Sequence, residues 1–241
     1  MRNLSKKFSI CQNMPNSGTL YVVSTPIGNL EDITIRALRV LKESDVILCE
    51  DTRMCLKLLA HFNIEKKRLV RYDEHVEEKR IPEVKEMLEQ GLKVSLVSNA
   101  GTPTIQDPGY RLVRSLRMEG YKVLPVPGAS ALVAALSVSG CATDSFVFVG
   151  FLPRKVGKRK KLMESWIHEE RTVIFYESPE RILRTLQELK GFEKLGDRYI
   201  FIGREMTKTY EEYIFCKVRG VLENRILEKG EFVLVLEGSH E

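Results

Sequence analysis

Histidine occurs four times and cysteine five times in the 241 residues, and each shortage removes a class of protein. The histidines (His61, His75, His168, His240) are scattered. The cysteines (Cys11, Cys49, Cys55, Cys141, Cys216) are odd in number and contain no Cys-x-x-Cys pair. This pattern excludes a structural zinc site and a disulfide framework and leads us to expect no metal and a reducing, cytoplasmic setting. No apolar run reaches the ~18 residues of a membrane-spanning helix, so no membrane association is expected. Residues 1–17 carry Arg2, Lys6 and Lys7 but no continuous apolar core; they read as a mobile tail rather than a signal peptide, with Met14 as a second candidate start. A G-x-G-x-x-G dinucleotide fingerprint is missing, and no repeat relates the two halves.

What is present suits a folded chain of two domains: 43% of residues are hydrophobic, and the net charge of +5 permits a polyanionic partner without requiring one. The organising stretch is Ser98-Asn99-Ala100-Gly101-Thr102-Pro103-Thr104-Ile105-Gln106-Asp107-Pro108-Gly109. It joins an apolar, β-branched strand at 93–97 to a helix over 110–116, and it is long for such a connection. Gly101 permits close backbone approach, and Asp107 is expected to cap a helix starting at Pro108.

The rest of the first half repeats the strand-loop-helix theme. Strands are expected at 20–24, 45–49 and 69–72, with helices at 34–43, 54–62 and 77–90. Asp32 is the expected cap of the first helix, and Glu50-Asp51-Thr52-Arg53 stands at a strand's carboxyl end, where Asp51 or Thr52 equally suits a helix cap. The alternation predicts a mostly parallel sheet with helices on both faces. Pro125-Val126-Pro127 marks a stiff boundary, giving domains at 18–125 and 126–241. A helix rich in small residues follows at 130–139. Beyond it, strands at 146–149, 172–176, 199–203, 211–217 and 231–236 alternate with helices at 158–168, 179–189 and 218–228. The 211–217 strand follows its predecessor through a short polar loop, which predicts antiparallel pairing and a mixed second sheet. Between the first two of these strands, residues 153–161 include Arg154, Lys155, Lys158, Arg159, Lys160 and Lys161 and no acid. So dense a run suits phosphate contact; its other reading, a solvated helix start, is opposed by the helix dipole.

Several motifs occur in one order: Thr25-Pro26-Ile27-Gly28-Asn29-Leu30, Glu50-Asp51-Thr52-Arg53, Ser98-Asn99-Ala100-Gly101-Thr102-Pro103 with Asp107-Pro108-Gly109, Phe175-Tyr176-Glu177-Ser178, and Gly203-Arg204-Glu205-Met206-Thr207-Lys208. Together they resemble the small-subunit ribosomal RNA methyltransferase I family of the tetrapyrrole methylase-like superfamily, over residues 18–238. The resemblance implies two α/β domains with S-adenosylmethionine in the cleft between them, usually in a homodimer. It also implies 2′-O-methylation of a cytidine ribose in the decoding region of 16S rRNA, within the small ribosomal subunit. Carried onto this chain, the cofactor would meet Pro26, Asn99, Ala100, Gly101, Ile105, Ser130 and Ala131, and then the Phe151-Leu152 turn, Tyr176 and the 204–207 segment with Met206. Two positions depart from the family pattern. Asn99 replaces the usual Asp, keeping an acceptor but losing a charge, and Pro127-Gly128-Ala129 replaces Pro-Gly-Pro.

An activated methyl donor leaves the protein mainly to align the attacking hydroxyl and manage its proton. The polar candidates for this work are Asp51, Arg53, Glu177, Arg204, Glu205 and Lys208; Glu177 and Glu205 fit equally well as partners of neighbouring arginines or as helix caps. Two rival functions share the pattern: a methyltransferase of the same fold acting on a small molecule or protein side chain, and an RNA-binding relative without catalysis.

Overall fold

In the computed structural model, residues 18–65 and 67–239 are described; the tail expected at 1–17 and the alternative start at Met14 lie outside them. The chain forms two compact units. One holds the described residues up to Pro26 and Glu31–Ala129; the other holds Ile27–Leu30 and the described residues from Ser130 onward. Both are α/β. Among the described residues, no helix is long and apolar enough to cross a membrane.

The first unit contains strands β1 (Thr19–Val23), β2 (Val46–Cys49), β3 (Arg68–Arg71), β4 (Lys93–Val97) and β5 (Lys122–Val126). They form one all-parallel sheet in the order β3-β2-β4-β1-β5. Helices α1 (Ile35–Glu43), α2 (Thr52–His61), α3 (Glu77–Glu89) and α4 (Tyr110–Met118) make the crossovers. The strand period of two sends alternate side chains to opposite faces. Ile47 and Cys49 pack with Ala37, Leu41 and Leu59 of α1 and α2, whereas Val46 and Leu48 pack with Val84, Leu88, Leu112 and Leu116 of α3 and α4. Successive crossovers therefore run first to one face and then to the other. Strand β4 sits where they diverge, flanked by β1 and β2, and open parallel sheets bind ligands at the carboxyl ends of such strands.

The second unit contains β6 (Phe146–Phe151), β7 (Thr172–Glu177), β8 (Tyr199–Arg204), β9 (Glu212–Lys217) and β10 (Phe232–Leu236). Their order is β6-β7-β10-β8-β9, with only the β6–β7 pair parallel. The sheet is mixed, and the strand near 211–217 pairs antiparallel as expected. Helices α6 (Val156–Ser165) and α7 (Ile182–Lys190) cover one face through Met163, Ile182 and Leu186, packed on Phe175, Ile202 and Leu234. On the other face, α5 (Ala131–Val138) packs Leu132, Ala135 and Leu136 against Ile174, Val233 and Val235.

Three local expectations are corrected. Asp32 ends a single 3-10 turn, and the cap of α1 is Thr34, whose hydroxyl accepts from the Ala37 amide at 3.0 Å. Asp107 does not cap α4, which starts after Gly109 without a side-chain cap. The helix expected at 218–228 is a 3-10 segment, Val218–Glu223. Gly220 weakens it from within, and the Asn224 amide donates to the carbonyls of Gly220 and Val221 at 3.3 Å each, capping groups that a longer helix would use itself.

Candidate functional site

At the carboxyl ends of β1 and β4, two loops are bonded into one surface. Thr25 and Gly101 exchange both backbone hydrogen bonds, at 2.8 and 3.1 Å, in an isolated antiparallel bridge. The Thr25 hydroxyl donates to the Ser98 carbonyl at 3.2 Å. Thr102 gives its hydroxyl proton to the Ala129 carbonyl at 3.1 Å, so Ser24 must be the donor in their 2.8 Å contact. The Asn99 amide reaches a Glu50 carboxylate oxygen at 3.4 Å, tying the surface to the end of β2. Asn99 and Ala100 are exposed, Pro26 and Gly101 buried. Gly101 has φ +80°, a left-handed value that a side chain would strain.

The loop holds more strain further along. Thr104 and Gln106 have φ of +74° and +67°, bracketing Ile105, which is 41% exposed. In the second unit Glu205 and Thr207, at +51° and +66°, bracket Met206 in the same way. Left-handed non-glycine residues cost of order 1–3 kcal/mol each and cluster at functional sites. Nothing in the residue types announced these two brackets, although the crowding of Pro103, Pro108 and Gly109 marked the first loop as irregular.

Carboxylates gather at this end of the first sheet. Burial raises the Glu50 carboxyl, the Asn99 amide partly opposes this, and Glu74 and Asp73 add to the rise. Burial and then the Glu50 charge push Asp107 up to about 6 against a stabilising bond from Ser98. A native carboxyl with a raised pKa binds protons more tightly than the unfolded chain, so stability falls as pH climbs from the ordinary 3.8 towards about 6 and stays reduced above it. Asp107→Asn is therefore expected to raise the unfolding free energy at about pH 8 and to leave it nearly unchanged at about pH 4. Denaturant titrations at both pH values check this; equal effects at both would contradict it.

The six polar candidates are all engaged. Asp51 caps α2 by accepting from the Arg53 amide at 2.8 Å and pairs with the Arg53 side chain, which holds its carboxyl at about 2. Glu177 is buried and accepts from the Ser178 amide at 2.8 Å and the Thr185 hydroxyl at 2.7 Å, and it pairs with Arg181 at 2.5 Å. Arg204 donates to Glu212 at 2.8 Å and to the carbonyls of Lys229 and Tyr210 at 3.2 and 3.0 Å. Glu205 accepts from Lys208 at 2.8 Å and the Glu231 amide at 2.9 Å; burial would raise its carboxyl, but these two donors bring it below the ordinary value. Lys208 also reaches Glu231 at 2.8 Å.

Other residues singled out from the sequence occupy recognisable places in the second unit. Ser130 stands before α5 without a side-chain cap bond. Tyr176 meets Phe148 and Phe151 edge-on, with centroids at 5.0 and 5.6 Å, and packs against the cluster that includes Met206. Leu152 is buried. The Asn29 amide donates to the Thr207 hydroxyl at 3.2 Å, and Gly28 lies so close that a Cβ would collide with the Lys208 Cγ. In the basic run, Arg154, Lys155, Lys158, Lys160 and Lys161 are exposed, but Arg159 is 2% exposed and bonded to Glu188. Arg159 is thereby withdrawn from the expected RNA-contacting residues.

Fold and site together define a tetrapyrrole methylase architecture: the family model described as Tetrapyrrole (Corrin/Porphyrin) Methylases matches residues 19–221. The uroporphyrin III C-methyl transferase of Thermus thermophilus, solved in complex with S-adenyl homocysteine, aligns with a TM-score of 0.62 at 21% identity, covering 91% of this chain and 97% of that one. Two sequence relatives carry the name Ribosomal RNA small subunit methyltransferase I. One, from Halalkalibacterium halodurans, is 48% identical over 236 residues, 95% of this chain and 79% of its own. The other, from Thermotoga maritima, is 49% identical over 224 residues, 92% of this chain and 99% of its own. The chain belongs to the ribosomal RNA small subunit methyltransferase I family.

Proposed function

We propose that this chain transfers a methyl group from S-adenosylmethionine to the ribose 2′-hydroxyl of a cytidine in the decoding region of 16S rRNA, in the small ribosomal subunit, as a cytoplasmic homodimer. One observation carries the reading: identity of 48–49% to relatives of that name runs through more than nine-tenths of the chain.

The residues present fit the cofactor. The exposed Asn99 and Ala100 and the half-exposed Ile105 offer polar groups and one apolar surface to an adenosyl group, and Gly101 adds no side chain to crowd it. In the second unit, Ser130, Ala131, Leu152, Tyr176 and Met206 are assigned the same ligand. When bound, the cofactor supplies an activated methyl electrophile. The chain's own residues orient the acceptor, for the six polar candidates are committed to fixing α2, the end of β7 and the 204–208 turn. The exposed cations of 154–161 hold RNA phosphates, a function without use to a methyltransferase of small molecules.

Labelled S-adenosylmethionine incubated with small subunits lacking the methyl group tests the reading. Label on a single cytidine 2′-oxygen supports it; cofactor binding without transfer would indicate another acceptor.

Asn99 gives a finer check. Asn99→Asp restores a carboxylate, and a solvent-facing charge interaction yields up to ~1 kcal/mol. Binding of cationic S-adenosylmethionine is expected to tighten roughly three- to fivefold relative to neutral S-adenosylhomocysteine. Equal changes for the two ligands in calorimetry would place residue 99 away from the sulfonium.

A further inference from the structure

The turn after β6 carries an unusual set of bonds. Three consecutive carbonyls, of Leu152, Pro153 and Arg154, each accept from a guanidinium. Arg181 Nη1 donates to Leu152 at 3.0 Å, and Arg159 Nη1 donates to Pro153 at 3.1 Å and to Arg154 at 3.2 Å. Each arginine is itself fixed by a carboxylate. Arg159 grips Glu188 through Nε and Nη2, both at 2.7 Å, and Arg181 pairs with the fully buried Glu177 at 2.5 Å. Four of the five N–H donors of Arg159 are used in this way.

Stability alone is a poor reason for this arrangement. A buried ion pair loses hydration that its attraction scarcely repays, and a cation in the first turn of α6 opposes the helix dipole. The turn being held is itself exposed: Arg154 and Lys155 are exposed, as are Lys158, Lys160 and Lys161. One buried pair and one whose carboxylate is buried thus fix the backbone of an exposed basic segment. Fixing such a segment in advance removes an ordering cost from binding.

We propose that Arg159 and Arg181 are positioning residues for the acceptor RNA, clamping the carbonyls of residues 152–154 so that Arg154 and Lys155 are presented to phosphates in one fixed geometry. The proposal rests on the reading that this segment contacts RNA. Neither arginine touches the RNA; both act through the backbone they hold.

The test is a double-mutant cycle in the full-length protein with unmethylated small subunits and saturating S-adenosylmethionine. The clamp variant R159M/E188Q removes both charges of one pair together, so that no carboxylate is left buried alone, and R154A/K155A removes the presented cations. Each is expected to raise KM for the subunit roughly tenfold with kcat within about twofold, and their combination is expected to be no worse than either. S-adenosylmethionine affinity and Tm report on the fold; R159K, which keeps the charge against Glu188 but cannot also reach both carbonyls, provides a second clamp variant with a smaller rise in KM. Unchanged KM in folded clamp variants, or effects that multiply in the combination, would overturn the clamp alone. Unchanged KM in R154A/K155A would overturn the RNA-contact reading and the clamp with it.

Discussion

Replacing Arg154, Lys155, Lys158, Lys160 and Lys161 together with glutamine is expected to weaken binding of small-subunit RNA about a hundredfold or more at low salt. Each cation that neutralises a phosphate releases condensed counterions, so the logarithm of affinity loses about 0.7–0.9 of salt slope per contact. If all five exposed side chains engage phosphates, the slope should flatten by about four, and the deficit should shrink as salt rises. Arg159 is left in place because it is buried and bonded to Glu188; removing it would confuse lost contacts with a distorted turn. S-adenosylmethionine affinity should not change. Filter binding or fluorescence anisotropy across a salt series checks the prediction. An unaltered slope would exclude this segment from the interface.

Arg159 also shows where sequence reasoning reached its limit. A basic run is legible as charge, and five of its six members are exposed. The exception is decided by Glu188, far along the chain on α7, and only the packing of α7 beside α6 brings that carboxylate within 2.7 Å. Local patterns fared better. The β-branched runs gave β1, β2 and β4 within a residue or two, and the short polar loop before 211–217 gave the antiparallel pairing. Strand order was not legible, since nothing in β4 says that it lies between β1 and β2. The two loops singled out from sequence do meet at that divergence point, through Thr25 and Gly101. The caps misled because Asp32 and Asp107 suit a cap by type, while Thr34 stands one position before the first turn of α1 and Asp107 is occupied beside Glu50 and Ser98.

Glu177 separates a structural reading of the site from a catalytic one most sharply. It stands at the end of a sheet strand in a motif shared with the family, a place where a general base is readily imagined, yet it is buried with three donors around it. Glu177→Ala would leave the Arg181 guanidinium without a carboxylate and the Thr185 hydroxyl and Ser178 amide without their acceptor. Removing one partner of a buried pair costs about 3–5 kcal/mol. With roughly 2–4 °C of Tm per kcal/mol for a protein of this size, a fall on the order of 10 °C is expected. Loss of a general base has the opposite signature: kcat falls by about 10²–10⁴, the acidic limb of the pH–rate profile disappears, and Tm scarcely moves. Below the variant's unfolding transition, we therefore expect kcat per folded molecule within several-fold of the parent and a pH profile of unchanged shape. Because Arg181 also holds the Leu152 carbonyl at 3.0 Å, a loosened Arg181 should show next in KM for the small subunit rather than in proton transfer. A variant with undiminished Tm and no acidic limb would instead make Glu177 the residue that takes the ribose proton, and its three bonds the means of holding that carboxylate ready.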